Sequence, residues 1–221
     1  EIKKRKENGE IFMNNTHSSR ARSTVLPLVL TALFAALTAI GAFLRIPAGE
    51  ISFTLQVFFT SMAGILLGPW WGAASQVVYV LLGLIGLPIF TEGGGLWYVL
   101  KPSFGYIIGF CIGTYVTGTL AARLKKRTVA RYLAANLAGL AVVYAAGMIY
   151  YYVICNYVLN TPIAVGPLFL YCFVLAVPGD TALSVLGAVL IKRLAPLLER
   201  SGIWTVSGTP NIPQAATAAR S

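Results

Sequence analysis

Few residues in this 221-residue chain are of a type that does chemistry. One carboxylate, Asp180, is the single charge between Tyr132 and Ile191, and it follows Pro178-Gly179. A charge inside an apolar run is costly and points to a protected interior. A kink at the proline would free backbone groups that a polar ligand could use beside the carboxylate. The plainer alternative is a structural partner for a buried donor. A second group is the stretch from Thr91 to Lys101, which contains Glu92, Gly93, Gly94, Gly95, Trp97 and Tyr98. Its glycines allow tight turns and close approach to a ligand. Trp97 and Tyr98 offer flat apolar faces with a polar edge, and Lys101 can pair with a carboxylate. The competing reading is an interfacial loop with its aromatics among lipid headgroups. Gln56 adds one acceptor and two donors. Together these residues suit a small solute with an apolar body and polar ends.

Other chemistry is excluded by what is missing. Cys111, Cys155 and Cys172 lie in apolar runs without Cys-x-x-Cys spacing and read as small buried hydrophobes. The single histidine, His17, lies in a polar N-terminal segment, so neither a His/Cys zinc cluster nor a Ser-His-Asp triad is available in the apolar body. No metal site is expected. No P-loop motif occurs, so the chain shows no ATP site of its own.

The elements that position these residues must be membrane helices. Hydrophobic residues make up 57% of the chain and charged residues 11%, with a net charge of +10. Soluble domains carry about 25% charged residues, so a soluble enzyme, a disordered chain and a disulfide scaffold are all excluded. A membrane helix needs about 20 apolar residues. Six segments qualify or nearly so: Val25–Leu44, Phe53–Leu67, Trp71–Ile89, Ser103–Leu120, Tyr132–Tyr152 and Leu168–Ile191. The second and third are split at Gly68-Pro69-Trp70-Trp71-Gly72, and Pro178-Gly179 predicts a kink in the sixth.

The basic residues orient this set. With a cytoplasmic N-terminus, the inner side holds Lys3, Lys4, Arg5, Lys6, Arg20, Arg22, Arg123, Lys125, Lys126, Arg127, Arg131, Lys192, Arg193, Arg200 and Arg220. The outer side holds only Arg45, read with Glu50 as a solvated loop pair, and Lys101. The charge is therefore topology, and no nucleic-acid surface is expected because no aromatic-basic face accompanies it. The expected fold is all-α, a six-transmembrane-helix bundle with cytoplasmic N- and C-termini. Residues 1–22 form a polar basic segment, of which 1–12, ahead of Met13, are set aside as added sequence or a mis-set start. Residues 23–200 form the membrane domain, and 201–221 a frayed tail.

Small residues four apart make smooth stripes where helices approach closely. Such stripes are Gly105, Gly109 and Gly113, and the pairs Ala32/Ala36 and Ala35/Ala39. Each serves either internal packing or the docking of a partner membrane protein.

Several motifs resemble the BioY family of biotin transporters. Ile51-Ser52-Phe53-Thr54-Leu55-Gln56 is similar to that family's "P-x-T-L-Q". Gly64-x-x-x-Gly68-Pro69 and the run from Tyr79 to Phe90 resemble its third-helix segment. Gly93-Gly94-Gly95 with Pro102-Ser103-Phe104-Gly105-Tyr106-Ile107-Ile108-Gly109-Phe110 resembles its "G-G … G-P-T-x-G-Y-x-x-G-F", and Pro178-Gly179-Asp180 its "P-G-D". The motifs stand in order from Thr31 to about Leu194.

The resemblance implies a six-helix, non-enzymatic S component of an energy-coupling factor transporter, in the plasma membrane of a prokaryote. Such a protein captures biotin from outside and works with a transmembrane coupling protein and two cytoplasmic ATPases. ATP would be used by those ATPases and no cofactor by this chain. The resemblance also implies that alanines of the first helix, as at Ala32 and Ala36, dock the coupling protein, and Ala35 and Ala39 are expected to share in this. The expected substrate residues are Gln56, Gly93, Gly94, Tyr98, Lys101, Tyr106 and Asp180. Two positions depart from the pattern. Leu183 stands where the family often has lysine, and Lys101 where it usually has glycine. Lys101 is expected to cover part of the missing role, toward the vitamin's carboxylate or toward Asp180. Two rivals remain at this point. One is an autonomous carrier; the other is a membrane-embedded enzyme using Glu92, Lys101 and Asp180.

Overall fold

The computed structural model describes residues 25–48, 51–124 and 128–200. The segments expected at 1–22 and 201–221 lie outside the described residues, as do Glu50, Lys125, Lys126 and Arg127. Helix α1 runs Val25–Phe43. A two-stranded antiparallel hairpin follows, β1 (Arg45–Ala48) with β2 (Ile51–Thr54), in a register that sets Arg45 opposite Thr54. Then come α2 (Gln56–Leu84), a 3-10 turn at Leu96–Leu100, α3 (Phe104–Ala122) and α4 (Val129–Val153). The last wall is built from α5 (Val165–Phe169) and α6 (Val177–Arg200).

Five helical segments are long and apolar enough to cross a membrane, among the described residues. One of them, α2, is not straight. Gly68 has φ 79 and ψ −179 and is followed by Pro69, so the chain turns there. Residues on either side of the turn meet again. A Cβ on Gly72 would lie 2.8 Å from the Ala63 carbonyl oxygen, and Gln56 Nε2 donates to Tyr79 Oη at 2.9 Å. In a straight helix nine residues span about 13 Å, so α2 is folded into two antiparallel arms. The break expected at Gly68-Pro69 lies at this bend.

Helices in lipid gain nothing from hydrophobicity against each other and must pack closely. The glycine stripe of α3 does this against α4. A Cβ on Gly113 would come 2.7 Å from the Gly139 carbonyl, and one on Gly109 would come 3.0 Å from Val143 Cα. Gly118 meets the first arm of α2 at Gly64 in the same way, at 2.7 Å. Of the two readings of the Gly105-Gly109-Gly113 stripe, internal packing describes where it lies. The alanines of α1 divide. Ala35 is buried and Ala39 packs beside it against Tyr79 and its neighbours, whereas Ala32 and Ala36 are exposed with Leu33 and Ile40.

The sixth expected segment lies within one helical stretch, Val165–Leu197. After α5 that stretch widens into a π turn at Leu170–Val174 and returns to α geometry in α6 from Val177. Pro178 therefore lies in the first turn of a helix, where its missing N–H is least costly. A second π turn, Ile154–Val158, extends α4. Basic residues Arg123, Arg131, Lys192 and Arg193 gather at the helix ends remote from Asp180, which lies in the first turn of α6.

Candidate ligand-binding site

The first arm of α2 and helices α3, α4 and α6 surround a cavity, partly open to solvent, near the Asp180 end of the bundle. Its walls include Thr54, Gln56, Tyr98, Ser103, Tyr106, Phe110, Tyr144, Cys172 and Asp180, with Thr91 and Glu92 at the rim.

Each wall residue has a local reason for its position. Asp180 stands at the start of α6, where aligned peptide dipoles favour negative charge. It is 7% exposed, and Tyr144 Oη donates to its Oδ2 at 2.5 Å. Tyr144 comes from α4, so this bond ties two walls together across 36 positions of sequence.

Tyr106 donates to the Cys172 carbonyl at 3.2 Å, and its ring meets Tyr144 edge-on at 6.3 Å. Gln56 is buried in the opposite wall. It accepts from Thr54 Oγ1 at 3.1 Å while donating to Tyr79, so the amide braces the hairpin of α2 as well as lining the cavity.

The two aromatics of the glycine loop part company. Trp97 is 82% exposed, whereas Tyr98 is 4% exposed. Tyr98 packs on Phe90 with ring centroids 4.6 Å apart, and its hydroxyl lies 3.5 Å from Ser103 Oγ. Burial raises the Tyr98 hydroxyl above the usual tyrosine pKa. Both earlier readings of the loop thus have a residue: one ring faces out and one faces the cavity.

Gly93 and Gly94 are not in the cavity wall. Gly93 has φ 113 and exchanges backbone hydrogen bonds with Phe90, and Gly94 lies against the Leu87 carbonyl. They fold the loop that delivers Tyr98. Lys101 is also outside the wall. Its Nζ donates to Glu92 Oε2 at 2.9 Å, with both side chains about half exposed. The hydrogen bond and the charge of Glu92 raise Lys101 above the usual lysine value. Of the seven residues expected, Gln56, Tyr98, Tyr106 and Asp180 come together, and Gly93, Gly94 and Lys101 stand behind or beside them.

Tyr144, Ser103 and Thr54 were not anticipated. Thr54 and Ser103 lay inside the quoted motifs and were passed over as small polar residues. Tyr144 is one of several tyrosines in α4, and only the packing of α4 on α6 singles it out. The three residues suggested as an acid–base set are also separated in their bonding: Glu92 binds Lys101, while Asp180 binds Tyr144. Among the described residues, no group of three or more His, Cys, Asp or Glu could hold a metal ion.

Comparison with known proteins agrees with this architecture. A probable biotin transporter BioY from Lysinibacillus sphaericus is 44% identical over 173 residues, covering 78% of this chain and 88% of the relative. The biotin transporter BioY of Thermotoga maritima is 43% identical over 122 residues, 55% of this chain and 71% of the relative. A crystal structure of the S component for biotin from an ECF-type ABC transporter matches with a TM-score of 0.66 at 30% identity, covering 77% of this chain and 90% of that one. The model of the BioY family matches residues 13–200, and with these relatives it shows that the chain belongs to the BioY family.

Proposed function

We propose that this integral membrane protein is the biotin-binding S component of an ECF-type transporter. Its role is transport rather than catalysis. One observation carries the reading in chemical terms: a cavity with tyrosine walls holds a buried carboxylate of which one oxygen is bonded by Tyr144. Biotin has an apolar bicycle and a ureido group with two N–H donors. Those donors match Asp180, while the Ser103 hydroxyl can serve the ureido carbonyl, and the rings of Tyr98 and Tyr106 cover the bicycle.

The finer parts of the proposal are these. The chain crosses the plasma membrane of a prokaryote six times, counting the two arms of α2 separately, with both termini in the cytoplasm. Support comes from the basic residues Arg123, Arg131, Lys192 and Arg193 lying at the end opposite the cavity. Biotin then enters from outside. A transmembrane coupling protein docks on the exposed Ala32 and Ala36 face, and two ATPases supply the ATP chemistry. Ala35 and Ala39 act indirectly, by seating α1 on the bundle. This chain uses no cofactor.

The test is equilibrium binding by the purified protein in nanodiscs, with labelled biotin in competition with a panel of other vitamins. Stoichiometric binding of biotin alone is the expected result. Tight binding of a different vitamin, or none of biotin, would sink the reading. Uptake in cells with and without the coupling protein and ATPases separates this role from an autonomous carrier.

A further inference from the structure

The charges around the cavity do not suit a ligand that carries its own carboxylate. The cavity wall contains two acidic residues, Asp180 inside and Glu92 at the rim, and no basic one among the described residues. Lys101 is already paired with Glu92. The rim pair is neutral overall, so it offers an anionic tail no unpaired positive charge.

Arg45 is that cation. Two independent features fix its position. The β1–β2 register sets it opposite Thr54, which lines the cavity. Its Nη1 donates to the carbonyl of Thr91, another rim residue, at 2.8 Å across 46 positions of sequence. Arg45 is exposed and makes no ion pair among the described residues. A guanidinium has five N–H donors in a planar fork, and the Thr91 carbonyl uses one of them. Among the described residues nothing occupies the remaining edge, which suits a carboxylate.

We propose that Arg45 is the specificity-determining residue for the ligand's carboxylate tail, with the polar head at Asp180 and the tail at the rim. This rests on the biotin reading above, because it needs a ligand with a donor-bearing head and an anionic tail. Arg45 thereby has two bonds to make. It clamps the hairpin to the Thr91 loop, and it supplies the positive charge that the wall lacks. Lys101 serves instead to neutralise Glu92.

The experiment measures affinities for biotin and for biotinamide, whose tail is neutral, on purified wild type, Arg45→Gln and the double substitution Glu92→Gln/Lys101→Ala, which removes both charges of the rim pair together. Glutamine removes the Arg45 charge and, because its amide nitrogen ends two bonds short of Nη1, also loosens the clamp on Thr91; a loosened clamp weakens both ligands alike, whereas the lost charge weakens biotin alone. Wild type is expected to prefer biotin. Arg45→Gln is expected to lose about tenfold toward biotin, the scale of one charge-assisted hydrogen-bonded pair, and about twofold or less toward the amide. The double substitution is expected to shift both ligands by similar small factors. Equal losses for the two ligands in Arg45→Gln, no loss at all, or a preference removed by the double substitution instead would each overturn the assignment. A wild type that binds neither ligand would overturn the functional reading itself, and is distinguished by being visible before any substitution.

Discussion

The two walls of the cavity are built by opposite means. On one side α2, α3 and α4 are drawn together at glycines, with Gly64 on Gly118 and Gly113 on Gly139 close enough to leave no room for a methyl group. On the other side the chain from Ile154 to Val177 passes through two π turns and a helix of five residues. A groove of about 660 Å³, lined only by apolar side chains such as Met148, Val165 and Phe169, lies between α4 and α5. The close-packed wall presents Tyr98 and Tyr106. The loose wall leads into Asp180. One wall is thus fixed by backbone contact, and the other carries the carboxylate just beyond a π turn, an element frequent at functional sites.

The contrast can be broken from the tight side first, with the largest effect. Gly113→Leu forces a branched side chain into the Gly139 backbone, and overpacking of this kind costs about 1–3 kcal/mol or more. The expected outcome is a large fall in thermal unfolding temperature, or loss of folded protein, in detergent. A substitution of equal size at Gly166, where a Cβ meets nothing within 4 Å, should leave the unfolding temperature nearly unchanged. Equal damage at the two sites would erase the distinction between the walls.

Next in size is the charged group. Asp180→Ala should weaken biotin binding by at least about tenfold, because it removes the buried carboxylate of the cavity wall. Unchanged affinity in an equilibrium binding assay would remove Asp180 from the site. Tyr144→Phe keeps the ring contacts with Tyr106 and Phe173 but deletes the hydroxyl that holds the carboxylate. A net hydrogen bond is worth about 1 kcal/mol, so a loss of about fivefold is expected. In the Asp180→Ala background the tyrosine substitution should add almost nothing, and full additivity would show that the two act separately. Smallest of all, Trp97→Ala should leave affinity within about twofold, since that ring faces away from the cavity.

Much of this was legible from the residues. Asp180 was conspicuous because charge is rare in an apolar run, and Gly68-Pro69 marked the bend of α2 by chemistry that a helix cannot absorb. The glycine stripe of α3 was legible as a stripe, but its partner was not, because spacing identifies a face and not what lies opposite. The division of Trp97 from Tyr98 was hidden for a similar reason: neighbouring aromatics in a 3-10 turn point in different directions, and composition treats them alike. Tyr144 was missed because its role exists only where α4 meets α6. The π turns left no mark that apolar composition or proline spacing could reveal.

The bend at Gly68 also makes room for a half-length helix inside the bundle. The first arm of α2, residues 56–67, rises only about 18 Å at 1.5 Å per residue, against a hydrocarbon core about 30 Å thick. From Thr60 to Leu67 every residue is buried, so the arm meets protein rather than lipid, where a helix too short to span is tolerated. The same arm carries Gln56 at its tip and Gly64 in its seam. A helix that stops partway thus places a polar side chain at cavity depth without leaving a polar helix end in hydrocarbon.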